Sequence, residues 1–385
     1  MKIIRISTIP ISLNILLKGQ LNFLNKYFEV IAVSGEGHHL EEVSKREKVK
    51  THPIKMERHI SLIEDFKSLI QLYLYFKKEK PQIVHSMTPK AGLLSMLAAR
   101  FAGVPIRIHT FTGLIFPTST GFKKKVLIFT DKVLCWSATN IYPEGQGVKQ
   151  DLLDYHITSK PLHVLANGNV NGIDLDYFDP NQISGSEKDT LRKNLNISEE
   201  DFVYIFIGRL ARDKGINELV TSFSKLKGKN IKLLLIGPSE AKLDPIHPDT
   251  LTEINSNVNI ILSGFQRDVR PYLAIASALV LPSYREGFPN AVLQAGAMEL
   301  PCIVTDINGS NEIITENKNG MIVPARDSHR LLEAMSRLYS DGELYSHLKK
   351  NARPVVALKF KQSFVWNALL QEYQKLLSEN SKTGF

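Results

Sequence analysis

The stretch Ala278-Leu-Val-Leu-Pro-Ser-Tyr-Arg-Glu286-Gly-Phe-Pro-Asn290-Ala-Val-Leu-Gln294-Ala-Gly296 sets the frame for the whole chain. Its first four residues form a short apolar run that reads as a buried strand. Pro289, a residue tolerated in the first helical turn, then opens a helix. The same succession recurs on either side. Apolar runs at Phe202–Ile207, 232–236 and 258–262 precede it, and another follows at 302–304, with helical spacing between them. Strands that alternate with helices pair in parallel and build a doubly wound sheet.

The first half repeats the pattern. Strand-type runs occupy Lys2–Ile6, 28–33, 83–84, 106–109, 133–137 and 162–165. Apolar residues at helical spacing fill 13–24, 60–76 and 91–102, the last stopped by Gly103 and Pro105. The alternation pauses at the turn-rich Asn167-Gly-Asn-Val-Asn-Gly172 and stays irregular through Asp179-Pro180 to Ser186. Two α/β domains are expected, 1–172 and 173–360. A last helix at 362–378, within a C-terminal segment 361–385, carries Phe364, Trp366, Leu369, Leu370, Tyr373 and Leu377 as a packing stripe.

Bulk properties fit this division. A chain of 385 residues exceeds what one core usually serves. Its charged fraction of 23% is that of a globular protein, not a disordered one. Two cysteines, Cys135 and Cys302, form no metal-type pair and no disulfide framework, which fits a reducing cytoplasm. The N-terminal apolar run is interrupted by Ser7, Thr8, Pro10, Ser12 and Asn14 and reads as a first strand, not a signal peptide. No apolar stretch approaches the ~20 residues needed to span a bilayer. Net charge is +9, and residues 1–172 hold 23 Lys/Arg against 13 Asp/Glu while 173–385 hold 25 against 26. The positive half attracts nucleic acid, anionic lipid or a phosphorylated substrate. No basic motif interleaved with aromatics supports nucleic acid.

Ligands of open parallel sheets bind beyond the C-terminal ends of the strands. Three such segments in the second half suit one kind of ligand. After the strand ending at Ile207, Gly208 lets the chain turn, Arg209 offers a planar fork for phosphate oxygens and Lys214 adds a point charge. After Leu281, Glu286 and the N–H groups of Gly287, Phe288 and Asn290 stand at a helix start, which suits an anion or sugar hydroxyls. Gln294 follows Glu286 by 2.2 turns. After the third strand, Phe265 and Gln266 can stack on and hydrogen-bond a nucleobase. Each segment by itself reads equally as a charged turn or a capped helix. Asp174-Leu-Asp176 has a metal-binding form, but two carboxylates are a sparse hard-cation site. No metal is expected.

Together, Gly208-Arg209…Lys214 and Glu286-Gly-Phe-Pro289 with a polar partner at Gln294 resemble the retaining family 4 glycosyltransferases. The resemblance runs nearly end to end, through Asn171-Gly-Ile-Asp174 and Asn308-Gly-Ser-Asn-Glu-Ile313. It implies the GT-B fold: two Rossmann-like doubly wound α/β domains facing across a cleft, with the C-terminal helix returning to the N-terminal domain. The N-terminal domain would then bind the acceptor and the C-terminal domain the nucleotide sugar. It also implies that Arg209 and Lys214 clamp the donor diphosphate, that Glu286 bonds donor-sugar hydroxyls, and that no cofactor beyond the nucleotide-sugar co-substrate takes part. Two positions depart from the family pattern. Gln294 replaces an acidic residue that holds the ribose, and Thr112 stands where relatives have histidine.

His85-Ser-Met-Thr-Pro-Lys-Ala-Gly92 and His109-Thr-Phe-Thr-Gly113 resemble a bacterial branch that builds capsule, O-antigen or lipid-linked oligosaccharides. That branch implies transfer of a hexose or N-acetylhexosamine from a UDP-sugar to an undecaprenyl-type lipid-diphosphate saccharide. A nucleotide-sugar 2-epimerase on the same fold is the alternative. On the acceptor side, Lys18, Gly19, His85, Thr112 and Gly113 are the candidates. The run from Leu114 to Phe129, with Lys123, Lys124 and Lys125 among apolar residues, suits an interfacial segment on anionic lipid or an ordinary amphipathic helix. The expected partners are thus a nucleotide sugar, a lipid-linked saccharide and the anionic inner-membrane surface, placing the chain in the cytoplasm as a peripheral protein.

Overall fold

The computed structural model describes residues 1–57, 61–240 and 244–383. The chain divides into two compact units, Met1–Gly172 with Gln362–Phe385, and Ile173–Lys361.

The first unit runs β1 (Lys2–Ile6), α1 (Pro10–Leu16), α2 (Gln20–Asn25), β2 (Glu29–Ser34), α3 (His38–Glu47), β3 (Lys50–Pro53) and α4 (Leu62–Glu79). It continues with β4 (Ile83–Ser86), α5 (Pro89–Ala102), β5 (Ile106–Phe111), α6 (Gly121–Ser137), β6 (Asn140–Pro143) and α7 (Gln146–Asp154). The strands form one parallel sheet in the order β3-β2-β1-β4-β5-β6. Side chains alternate across a strand, and β1 shows the consequence. Ile4 and Ile6 enter the core layer shared with α4, α5 and α6, while Ile3 enters the opposite layer with α1, α2 and α3.

The second unit comprises α8 (Gly185–Asn194), β7 (Phe202–Ile207), α9 (Ile216–Lys225), β8 (Ile231–Ile236), α10 (Pro248–Ser256), β9 (Ile260–Gly264) and α11 (Arg270–Ile275). Then come β10 (Ala278–Leu281), α12 (Asn290–Ala297), β11 (Cys302–Thr305), α13 (Ser310–Ile313), β12 (Gly320–Val323), α14 (Ser328–Ser340) and α15 (Gly342–Phe360). Its parallel sheet is ordered β12-β11-β10-β7-β8-β9. The direction of winding therefore reverses between β7 and β10, the kind of place where such sheets bind ligands. The last helix, α16 (Gln362–Thr383), packs within the first unit through Leu369, Leu370, Tyr373, Leu376 and Leu377.

Several sequence expectations are corrected. Residues 133–137, expected as a strand, are the last turns of α6, with Leu134 and Cys135 buried and Trp136 exposed. Residues 162–165 contribute a single bridge, Leu162 to Ile141, in place of a strand. The expected helix 13–24 is two helices broken at Gly19, which adopts φ +82°. Ile60, the expected first residue of the next helix, lies outside the described residues. Strands β3, β6 and β12 were not anticipated. The Asp174-Leu-Asp176 segment is a turn in which Asp174 Oδ1 accepts from the N–H groups of Asp176 and Tyr177.

Candidate active site

Close backbone approaches bring the post-strand loops of the second unit together. A Cβ on Gly215 would lie 2.0 Å from the carbonyl oxygen of Pro282, so the loop after β7 touches the loop after β10. The Tyr284 N–H donates to the Asp213 carbonyl at 2.8 Å and seals that contact. A Cβ on Gly309 would lie 2.2 Å from the Gly287 carbonyl oxygen, which brings in the loop after β11. Thr305 Oγ1 donates to the Ser283 carbonyl oxygen beneath it at 2.5 Å. The loop after β8 joins from the other side, where a Cβ on Gly237 would meet the Gly208 carbonyl oxygen at 1.8 Å. A glycine permits each approach because it has no Cβ.

This stitching places charged groups at the switch point. Lys214 Nζ lies 2.5 Å from Glu286 Oε1, with both side chains about six-sevenths buried. Glu286 Oε1 also accepts from Ser283 Oγ at 2.8 Å. Arg209 contacts Glu240 Oε2 at 3.1 Å and lies 3.8 Å from Asp213 Oδ2. The same Asp213 oxygen takes Arg285 at 2.9 Å, and its other oxygen is buried with no partner among the described residues. Tyr284 Oη donates to Glu218 Oε1 at 2.6 Å, and burial, then this carboxylate, pushes the phenol pKa up. Three cations thus converge here, each positioned by a carboxylate. A polyanion entering the site would compete with those carboxylates for fixed positive charge.

The remaining donor-side residues divide by role. Gly208 donates its N–H to the Ile236 carbonyl and holds the turn out of β7. Gly287 lies at the Gly309 approach, whereas the Phe288 side chain is core, edge-on to Phe360 at 5.3 Å. Asn290 begins α12, and Gln294 lies half-buried one turn further along it. Phe265 is exposed beyond β9, and Gln266 Nε2 donates to the Ser263 carbonyl at 2.7 Å. Sequence reasoning missed Asp213, Glu240 and Arg285. Arg285, a cation beside Glu286, was the one visible signal.

The acceptor-side candidates of the first unit are less uniform. His85 is fully enclosed, and both ring nitrogens are engaged, Nδ1 with Tyr373 Oη at 2.5 Å and Nε2 with Thr110 Oγ1 at 2.7 Å. Burial, then the nearby Arg5 charge, drives its pKa well below the usual imidazole range. Arg5 donates to Gln20 Oε1 at 2.8 Å and to Tyr373 Oη at 3.2 Å, so His85 belongs to the network that seats α16. Gly19 gives its N–H to Glu47 and lies under the Trp366 ring. The Lys18 carbonyl accepts from Asn171 at 3.0 Å. Thr112 Oγ1 donates to the Met87 carbonyl at 2.8 Å, and Gly113 follows β5 with φ +114°.

Residues 187–355 match the glycosyl transferases group 1 family, and residues 11–144 match a glycosyl transferase 4-like domain. The chain is 34% identical over 369 residues to a capsular polysaccharide biosynthesis glycosyltransferase, CapM, of Staphylococcus aureus, covering 95% of both. It belongs to the family 4 glycosyltransferases. Within that family it falls among enzymes of bacterial polysaccharide assembly. A second relative is the UDP-Gal:alpha-D-GlcNAc-diphosphoundecaprenol alpha-1,3-galactosyltransferase of Escherichia coli, 30% identical over 302 residues, 77% of this chain and 76% of that one. The fold matches that of Anabaena HepE, solved in complex with UDP and glucose, with a TM-score of 0.81, 14% identity and coverage of 97% and 100%. Among the described residues no helix is long and apolar enough to cross a membrane.

Proposed function

We propose that this glycosyltransferase moves a hexose or N-acetylhexosamine, with retention, from a UDP-sugar to a saccharide linked to a lipid diphosphate. The observation that carries the reading is the Lys214–Glu286 pair, joined at 2.5 Å across the switch point with Arg209 beside it. Breaking the anomeric C–O bond leaves growing negative charge on the diphosphate, and cations fixed in advance lower that barrier. Arg209 and Lys214 supply the charge and transfer no proton. Glu286 accepts hydrogen bonds from donor-sugar hydroxyls, so one carboxylate sets both the sugar and Lys214. The N–H groups of Gly287, Phe288 and Asn290 complete the sugar site, Gln294 holds the ribose, and Phe265 with Gln266 holds the base. The chemistry requires no metal. The Escherichia coli relative, a galactosyltransferase of a diphosphoundecaprenol-linked sugar, supports a lipid-diphosphate acceptor. Such an acceptor places the enzyme at an anionic membrane surface, with Lys18, Thr112 and Gly113 toward it.

The test is transfer from a panel of UDP-sugars to a polyprenyl-diphosphate sugar, with product anomers assigned by NMR. Glu286→Ala and Lys214→Ala should each lower kcat/KM by about 10²–10³, the loss typical of one transition-state donor, with the native circular dichroism spectrum retained. Turnover like wild type in both variants, or epimerised nucleotide sugar formed without acceptor, would overturn the reading.

A further inference from the structure

Helix α4 presents its apolar residues to solvent. Its buried positions are Ser68, Leu72 and Phe76, while Leu62, Phe66, Ile70 and Leu74 form an exposed stripe at intervals of four. Leu62 is 82% exposed and Phe66 62%. Exposed large apolar residues in a continuous line mark an interaction surface. Helix α6 offers a matching feature, since Phe122 in its first turn is 81% exposed. Three lysines, Lys123, Lys124 and Lys125, follow it directly.

Topology puts these two features at one edge. Helices α4, α5 and α6 each lead out of one parallel strand and into the next, and α5 packs between the other two. All three therefore start at the C-terminal edge of the first sheet, the edge where such sheets take ligands. Leu62 and Phe66 lie in the first turns of α4, and Phe122 with the lysines in the first turn of α6.

The charge at the α6 start selects the occupant, since the two acids in the first turn of α4, Glu64 and Asp65, are paired with Lys67 and Lys90 at 2.7 Å each. A helix start favours acidic residues because of its positive dipole end. The first turn of α6 holds no acid and no side-chain cap, only the three lysines. That arrangement costs local stability, which an anionic surface would offset. A second copy is a poorer fit, because a two-fold contact would bring the same lysine cluster into the interface twice with no added acid to meet it.

We propose that the edge formed by the α4 and α6 starts docks on an anionic lipid bilayer, with Leu62, Phe66 and Phe122 entering the interfacial layer and Lys123 and Lys125 on lipid phosphates, Lys124 being held by the Tyr155 hydroxyl at 3.0 Å. This rests on the reading of a lipid-linked acceptor and names the surface that meets it. The orientation turns the ligand-binding edge of the first sheet toward the membrane, where a polyprenyl diphosphate presents its sugar.

The test is co-sedimentation of the full chain with phosphatidylcholine vesicles, with and without phosphatidylglycerol, at low and high salt. Wild type should bind the anionic vesicles and release with salt. Lys123→Gln with Lys125→Gln should weaken partitioning about 25-fold, at about fivefold per lysine. Leu62→Ser with Phe66→Ser should weaken it at both salt concentrations. Both double variants should keep the wild-type melting temperature and wild-type transfer to a short-chain, water-soluble diphosphate acceptor. Equal binding to neutral and anionic vesicles, or variants that bind like wild type, would overturn the proposal. So would light scattering that shows a wild-type dimer dissolved by the same substitutions. Transfer lost on the soluble acceptor with vesicle binding intact would leave the docking surface standing and count against the catalytic reading alone.

Discussion

Gly309→Ala separates loop stitching from simple backbone strain. Gly309 has φ +75°, and a Cβ there would lie 2.2 Å from the Gly287 carbonyl oxygen and 2.8 Å from Phe288 Cα. Real Cβ contacts essentially never fall below 3.0 Å, so this carbonyl must retreat by about 0.8 Å, the difference of the two distances. Gly287 follows Glu286 directly, and the displacement passes to the carboxylate that contacts Lys214. A misplacement of ~1 Å in a catalytic site costs on the order of 100-fold in rate. The left-handed conformation adds ~1–2 kcal/mol for a residue bearing a Cβ, or roughly 2–8 °C in a unit of this size. Gly103→Ala is the control for a positive φ alone, because Gly103 has φ +77°, with ψ +25° against −46° at Gly309, and nothing within 4 Å of its added Cβ. Both variants should lose melting temperature, but only Gly309→Ala should lose about 100-fold in kcat/KM for sugar transfer. If the two variants kept equal activity, loop contact would not position Glu286, and the account of the site would fail.

Two further outcomes follow from the first unit. Tyr373→Phe removes the hydroxyl shared by Arg5 and His85, and Arg5 Nε already lacks a partner among the described residues. Losing a hydrogen bond to a buried charge costs ~1.5–3 kcal/mol, which calorimetry should read as a fall of roughly 3–12 °C; an unchanged melting temperature would refute the keystone role. Acid should also weaken the fold. Burial holds His109 down to about 3, and burial with the Arg5 charge holds His85 well below its usual range. Unfolded imidazoles take up protons below pH ~6.5 while these stay neutral, so each loses about 1.4 kcal/mol per pH unit of acidification. Burial raises Asp131 to about 7, above its unfolded carboxylate value. Its contribution is therefore lost as pH rises toward 7, and on acidification it offsets about one of the two histidines. Asp131→Asn should stabilise the protein at pH 8 and roughly double the acid slope in urea denaturation between pH 6 and 4.5; an unaltered slope would refute this balance.

What the sequence made legible follows from where each signal arises. Strands β7, β8 and β10 are buried on both faces, so their residues form apolar runs readable without partners. Edge strand β3 gave no such run, since Lys-Thr-His-Pro is polar and largely open to solvent, whereas β12 carries Met-Ile-Val, a run too short to be assigned by itself. The apolar run 133–137 was ambiguous because five residues fit either period, and only the exposure of Trp136 beside buried Cys135 reveals the helix. In α4 the spacing revealed the helix but not which of its apolar residues face solvent, because periodicity reports a stripe and not what covers it.

The site shows the same division more sharply. Arg209, Lys214 and Glu286 were readable because each lies in a loop directly after a strand, where fold and chemistry coincide. Asp213 was not, since its task exists only once loops about 70 residues apart in sequence meet. It holds Arg285 at 2.9 Å with one oxygen, lies 3.8 Å from Arg209 with the same atom, and offers its carbonyl to Tyr284. A carboxylate placed between two guanidinium groups lowers their mutual repulsion and lets both face one anion. Local sequence thus encodes which groups touch a ligand, while the groups that aim them are encoded only by the tertiary contact.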